Sequence, residues 1–228
     1  MNFIYNGSLE SFLLAIEKAV LQENSTISKE PSLFDENIEV HEENIENKIF
    51  DEKLYSDIVV LYLSESEGFE NLALNYAKYI IREKKYNNIS NEWVRKVNEI
   101  KGRFFRELHK YKGFTRFYEI DENLLFAKIA PQNNIIIFLA EYFKKRMREN
   151  FIIYDTQRKL AAFRSCSDIY LKKVGEIKIQ IGQKEREINK LWKSFFNEIA
   201  VKERKNYRLQ RNFVPLRYRK HILEFLPE

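Results

Sequence analysis

The chain has 228 residues, 44% hydrophobic and 14% aromatic, a composition that excludes a disordered chain and fits one large globular domain or two small ones. Its formal charge of +5 conceals a segregation: residues 1–70 hold sixteen acids and four bases, a net −12, so the rest carries +17. Cys166 stands alone, which excludes a disulfide framework or a cysteine metal cluster, and no run approaches the roughly twenty apolar residues that span a bilayer. A soluble, cytoplasmic protein with no membrane partner is the expectation.

Phe3-Ile4-Tyr5 predicts a short strand. Asn6-Gly7-Ser8 then predicts a turn into a helix capped by Ser8, whose hydroxyl can accept from a first-turn amide. Leu9, Phe12, Leu13, Ile16 and Val20 recur at helical spacing and form that helix's buried stripe. Residues 22–46 are polar and acidic, a long surface connection in which Ile38–His41 is a candidate strand. Helical patterns return at about 45–63, 69–84 and 91–111. In the last of these Trp93, Val97, Ile100, Phe104 and Leu108 mark the core face.

The period then changes. Phe114–Ile120 and Leu124–Ala130 read as strands rich in aromatic and β-branched residues, joined by a turn at Asp121-Glu122-Asn123. Pro131–Met147 reads as a helix, and Phe151–Tyr154 with Lys159–Phe163 as a second hairpin. Residues 166–182 have no clear pattern, with Lys178–Ile181 a candidate strand. Gln183–Val201 is strongly amphipathic through Ile188, Leu191, Trp192, Phe195, Phe196 and Ile199, and Trp192 reads as core. The expected fold class is α+β: a mostly helical N-terminal part, a four-stranded antiparallel ββαββ sheet covered by a helix, and a C-terminal helix with a basic tail. Residues 1–228 read as a single domain, with an acidic, mostly helical lobe at 1–108 and a lobe of sheet and basic tail at 109–228.

The tail carries the sharpest chemical signal. Between Lys202 and Lys220 eight Lys or Arg face one acid, Glu203, with Tyr207, Phe213 and Tyr218 interleaved. Cations repel one another, so such density costs little only when solvated or facing an anion, and flat aromatic faces can stack on bases. Two uses compete. Lys205, Tyr207, Arg208, Arg211, Arg217 and Arg219 could contact phosphates, or the tail could be neutralised by acids of the front half such as Glu42, Glu43 or Asp51. A second basic-aromatic cluster is HKYKGFTRF, His109–Phe117. There Gly113 fits the left-handed residue that often ends a helix, and the preceding cations suit the negative end of the helix dipole. On a strand, Arg116 and Tyr118 share a face. They then line an open sheet surface that meets DNA, or Arg116 forms a half-buried ion pair. Asp155 and Arg158, in the second hairpin turn, read as structural. Leu226-Pro227-Glu228 reads as a docked terminus, since Phe225 and Leu226 would otherwise be exposed.

Several chemistries lack their residues. There is no GxxxxGK[ST] or GxGxxG phosphate loop, and His41, His109 and His221 form neither HExxH nor another close pair. A lone cysteine such as Cys166 is more often inert than catalytic. No metal or cofactor site is expected in this chain.

Blocks along the whole length resemble a bacterial family associated with DNA metabolism and DNA repair. The blocks are YNGSLESFLLAI (Tyr5–Ile16), EPSLF (Glu30–Phe34), HKYKGFTRFYEI (His109–Ile120), LLFAKIAPQNNIIIFLAEYFKKRM (Leu124–Met147), IIYDTQRKLAAF (Ile152–Phe163) and the stretch Leu191–Glu228. The resemblance implies an association with DNA and a radical SAM protein as partner, encoded beside it; the same domain occurs fused to a uracil-DNA-glycosylase-like domain. This chain has neither the three clustered cysteines of a radical SAM enzyme nor a glycosylase motif, so such chemistry would belong to another polypeptide. Residues 165–182 have no counterpart in that resemblance. The function expected first is a DNA-binding accessory protein using Arg116, Tyr118 and the tail cations. A protein–protein adaptor for the same partner comes second, and an enzyme acting on DNA third.

Overall fold

The computed structural model describes residues 1–33, 35–40, 49–166, 168–177, 179, 182–199, 206–220 and 222–225, with the backbone alone at 184, 197 and 223. The chain divides into two compact units, Met1–Arg106 and Glu107–Glu228. The fold is α+β, and among the described residues no helix is long and apolar enough to cross a membrane.

In the first unit, β1 (Asn2–Ile4), β2 (Thr26–Ser28) and β3 (Asn37–Glu39) form a parallel sheet in the order β2-β1-β3. The chain returns from β1 to β2 through α1 (Leu9–Val20), and a helical crossover leaves its two strands parallel. The Ser8 hydroxyl accepts from the Ser11 amide at 3.0 Å, which is the expected cap. Asn2 is buried and ties the three strands together. Its Nδ2 donates to Ser28 Oγ at 2.9 Å and Asn37 Oδ1 at 3.1 Å, while its Oδ1 accepts from Thr26 Oγ1 at 3.0 Å. Asn2→Ala should cost about 1–3 kcal/mol, read as a lower denaturation midpoint, because its partners would be left unsatisfied. Only β1 and part of β3 match the expected strands; β2 is a three-residue TIS that gives no alternation long enough to see.

Around the sheet lie α2 (Glu52–Ser64), capped by Asp51 onto the Leu54 amide at 2.8 Å, α3 (Phe69–Glu83) and the start of α4 (Glu92–Phe114). Tyr5, Phe12, Tyr62 and Phe69 stack in the core, with ring centroids 5.2 to 6.0 Å apart. The buried Asp57 accepts from the Tyr76 hydroxyl at 2.6 Å and from Lys101. Burial, with the Asp57 carboxylate beside it, pushes the Tyr76 phenol well above its usual range.

The second unit departs from the antiparallel expectation. It holds a five-stranded mixed sheet, ordered β4 (Tyr118–Asp121), β5 (Leu124–Ile129), β6 (Asn150–Asp155), β7 (Leu160–Ser165), β8 (Asp168–Lys173). The two hairpins are antiparallel as expected, but β5 and β6 are parallel neighbours. The reason is α5 (Ile136–Arg146), which carries the chain back to the start of the sheet before β6 begins. The fifth strand, β8, lies in the stretch without a clear pattern, because an exposed edge strand reading DIYLKK needs only weak alternation. The candidate strand Lys178–Ile181 falls largely outside the described residues, as does His41 at the end of the other.

One face of this sheet packs on α5 through Ile136, Leu139, Ala140 and Phe143, and the small Ala127 and Ala162 on either side of Ile153 let the helix approach closely. On the other face Tyr118, Phe126, Ile152, Phe163 and Tyr170 stand in register across all five strands. That face is not open at its middle. Val174, Ile177 and Ile179 pack over it, and the Tyr154 hydroxyl donates to the Gly175 carbonyl at 3.0 Å. The C-terminal elements are α6 (Gln183–Ile199), α7 (Tyr207–Phe213), α8 (Leu216–Arg219) and a 3-10 turn at Leu223–Phe225.

Candidate nucleic-acid interface

The site is built on the end of α4. The helix runs through Phe114, three residues beyond the expected end, so Gly113 is helical and Arg116 lies in the connection to β4 rather than on a strand. The expected left-handed cap at Gly113 is therefore replaced by continued helix. Thr115 closes it, donating through backbone N at 3.0 Å and Oγ1 at 2.6 Å to the Tyr111 carbonyl.

A polar clamp fixes what surrounds this end. Glu107 is buried, and its carboxylate accepts from the Gln132 amide at 3.0 Å, the Asn133 amide at 2.9 Å and Asn133 Nδ2 at 2.6 Å. Asp155 is fully buried and accepts from Arg158 Nη1 at 2.9 Å and from the Gln157 amide at 2.9 Å. Arg158 in turn donates to the carbonyls of Pro131 at 3.1 Å and Gln132 at 2.6 Å. The pair read as structural thus holds the loop at residues 131 and 132, whose carbonyls accept from Arg158.

Onto this clamp α8 docks. Tyr218 is buried edge-on against Tyr111 at 5.2 Å and tilted against Phe114 at 5.6 Å. Burial raises the Tyr218 phenol, with the adjacent Arg217 pulling the other way. Two cations cover the Tyr218 ring: Lys110 Nζ lies 5.4 Å from its centroid and the Arg217 guanidinium 4.9 Å. Arg217 also donates to Gln132 Oε1 and, at 3.0 Å, to the Tyr218 hydroxyl. Two residues along the helix, Lys112 Nζ sits 4.7 Å over the Tyr142 ring, and a groove of about 370 Å³ is lined by Lys112, Ile137, Phe138, Glu141, Tyr142 and Lys145. Its acid, Glu141, is paired with Lys144 at 3.6 Å.

Upstream of α8, α7 is capped by Asn206, whose Oδ1 accepts from the Leu209 amide at 2.9 Å. Tyr207, Arg208, Arg211 and Phe213 are exposed on it. Among the described residues, none of Arg208, Arg211, Arg217 and Arg219 pairs with a carboxylate of the second unit.

The residues expected to bind nucleic acid thus separate. Arg217 joins Lys110 and Tyr218, and Tyr207, Arg208 and Arg211 are open to solvent. Arg219 is inward: its Nε donates to the Val214 carbonyl at 3.0 Å and its guanidinium lies 4.3 Å over Phe225. Arg116 is the half-buried ion pair of the two readings, bonded to Glu185 at 3.2 Å and Asn189 Oδ1 at 3.1 Å, and its guanidinium lies 5.8 Å from the Tyr118 ring. Tyr118 is half-buried, and desolvation raises its phenol. Lys205, His221 and Leu226–Glu228 lie outside the described residues. Lys110, Lys112, Tyr142 and Lys145 were not among the expected binding residues. The signal for the first two was the HKYK run itself, which a helix-end account absorbed; for Tyr142 and Lys145, one turn apart on α5, it was masked by the helix's apolar stripe.

A family model described as a domain of unknown function, DUF4130, matches residues 67–224. No curated protein and no solved structure matches the chain. The matched stretch takes in Lys110, Lys112, Tyr142, Lys145, Tyr207, Arg208, Arg211 and Arg217, and leaves out the parallel sheet of the first unit. Since that match spans well over half of its length, the chain belongs to the DUF4130 family.

Proposed function

We propose that the second unit binds DNA through its cationic, tyrosine-lined surface, and that the protein serves as a DNA-binding accessory in DNA repair or modification. The observation that carries this reading is the state of the cations: Lys110, Lys112 and Arg217 lie over tyrosine rings, and Arg208 and Arg211 are exposed without a carboxylate among the described residues of that unit. Cations held this way keep their charge available to an external polyanion. Arg208, Arg211, Arg217, Lys110, Lys112 and Lys145 would hold phosphates, while Tyr207 and Phe213 offer exposed rings for a base to stack on. Arg116 has a positioning role, anchoring α6. The radical SAM partner rests on the resemblance of the sequence blocks, which would make this chain the component that holds DNA for chemistry done elsewhere.

Fluorescence anisotropy with labelled single-stranded and duplex DNA of about 20 nucleotides tests the reading. Binding at low salt should weaken steeply as salt rises, because each phosphate contact releases condensed counterions. Negligible binding to both at low salt would overturn it.

A further inference from the structure

Large apolar side chains are exposed on both α6 and β8. On α6, Trp192, expected in the core, is 41% exposed, and its indole N–H donates to Glu224 Oε1 at 2.7 Å. On β8 the backbone is exposed as well. The strand is one edge of the five-stranded sheet and pairs with β7 in unbroken register from Asp168 to Lys173. The opposite edge, β4, has four residues against six, and its register shifts between Glu119 and Asp121, an irregularity of the kind that blunts an edge. On β8, Tyr170 and Leu171 are 56% and 47% exposed. The Val174 amide donates to the Lys159 carbonyl at 2.9 Å. Alternation along the strand then turns the N–H and C=O groups of Asp168, Tyr170 and Lys172 toward β7, and those of Ile169, Leu171 and Lys173 away from it. Among the described residues no strand pairs with that outer side.

We propose that β8 pairs edge to edge with β8 of a second copy of the chain, antiparallel about a two-fold axis at Tyr170. The strand's own residues select this occupant. When two antiparallel strands are related by a two-fold axis normal to the sheet, opposed residues share a face, so the axis falls at a residue. Placed at Tyr170, it sets Asp168 opposite Lys172 of the second copy at both ends, Ile169 opposite Leu171, and Tyr170 opposite itself. Every opposed pair is then oppositely charged, apolar or aromatic. The outward-turned Ile169 and Leu171 exchange main-chain hydrogen bonds in both directions. An axis at Leu171 would instead set Tyr170 against Lys172 and Ile169 against Lys173, and one at Lys172 would oppose two lysines. A carboxylate accepts several donors, so Asp168 can take the second copy's lysine alongside its contacts within the chain. Lysines on an edge strand repel strands that lack a matching acid, and here the same strand supplies that acid. The inference is independent of DNA binding, which uses other residues.

Sedimentation equilibrium of the full chain, free of DNA and under reducing conditions, tests it. The paired stretch is short, so the chain should be largely dimeric at about 100 µM and largely monomeric at about 1 µM. Asp168→Lys and Lys172→Asp should each weaken the dimer at least about tenfold, because each sets like charges opposite one another at both ends of the pair. An equimolar mixture of these two variants should regain a dimer of parental affinity, since each substituted position then faces its opposite charge across the axis. A regained dimer also shows that both single variants are folded. Leu171→Pro should dissolve the dimer and leave the circular dichroism close to that of the parent, because the amide it removes points away from β7. A monomer at every concentration, a dimer that survives the single charge reversals, or a mixture that stays monomeric would overturn the proposal.

Discussion

A chain carrying Arg208→Glu, Arg211→Glu and Arg217→Glu is expected to bind DNA roughly 100-fold or more weakly than the parent at low salt, since each reversal would replace a proposed phosphate contact by repulsion. The dependence of log K on log salt should flatten by about 2 to 3, as each lost contact removes close to one released counterion. Arg217 also holds Gln132 and the Tyr218 hydroxyl, so the double variant Arg208→Glu/Arg211→Glu separates charge from packing. It should still weaken binding about tenfold, with no change in denaturation midpoint, because both residues are exposed. Arg116→Ala should behave oppositely. It breaks the bonds to Glu185 and Asn189, costing about 1–2 kcal/mol of stability, and leaves DNA affinity within about twofold. An Arg116→Ala variant of full stability and lost affinity would return that residue to the contact surface.

The second large effect is on stability. Asp155→Ala is expected to cost about 3–5 kcal/mol, because it strands the largely buried Arg158 guanidinium and the Gln157 amide together. Urea denaturation of the full chain would show it as a lower midpoint. The consequence should reach the interface. Arg158 holds the carbonyls of residues 131 and 132, and Gln132 receives Arg217, so loosening this loop should also loosen α8. Faster hydrogen exchange at residues 216–219 in Asp155→Ala than in the parent would show the link. An unchanged midpoint would mean that the loop is held without the ion pair.

How much of this was legible in the sequence depends on what each residue's neighbours are. The Ser8 cap, the stripe Val97, Ile100, Phe104, Leu108 and both hairpins were legible because local spacing decides them. The parallel pairing of β5 with β6 was not, since strand direction follows from the path of α5 and not from strand residues. Arg116 illustrates the same limit at the site. Its strand placement failed because α4 continues past Gly113, whose helix-breaking tendency is outweighed by the burial of Tyr111 and the packing of Phe114 on Tyr218. The partners that then claim Arg116, Glu185 and Asn189, lie about seventy residues away, beyond any local pattern. Trp192 failed for another reason. An amphipathic period says that a face is apolar, not that the fold supplies a cover for it. The basic tail was legible as charge, but which of its arginines turn inward, as Arg219 does, depends on Val214 and Phe225.

Lysine acylation read by mass spectrometry, with and without saturating DNA, tests the central claim most directly, because it reports which cations the polyanion covers. Lys110, Lys112 and Lys145 should lose reactivity on DNA binding, while the exposed Lys53, Lys84 and Lys85 of the first unit keep theirs. Protection spread equally over both groups, or absent from Lys110, Lys112 and Lys145, would contradict the account.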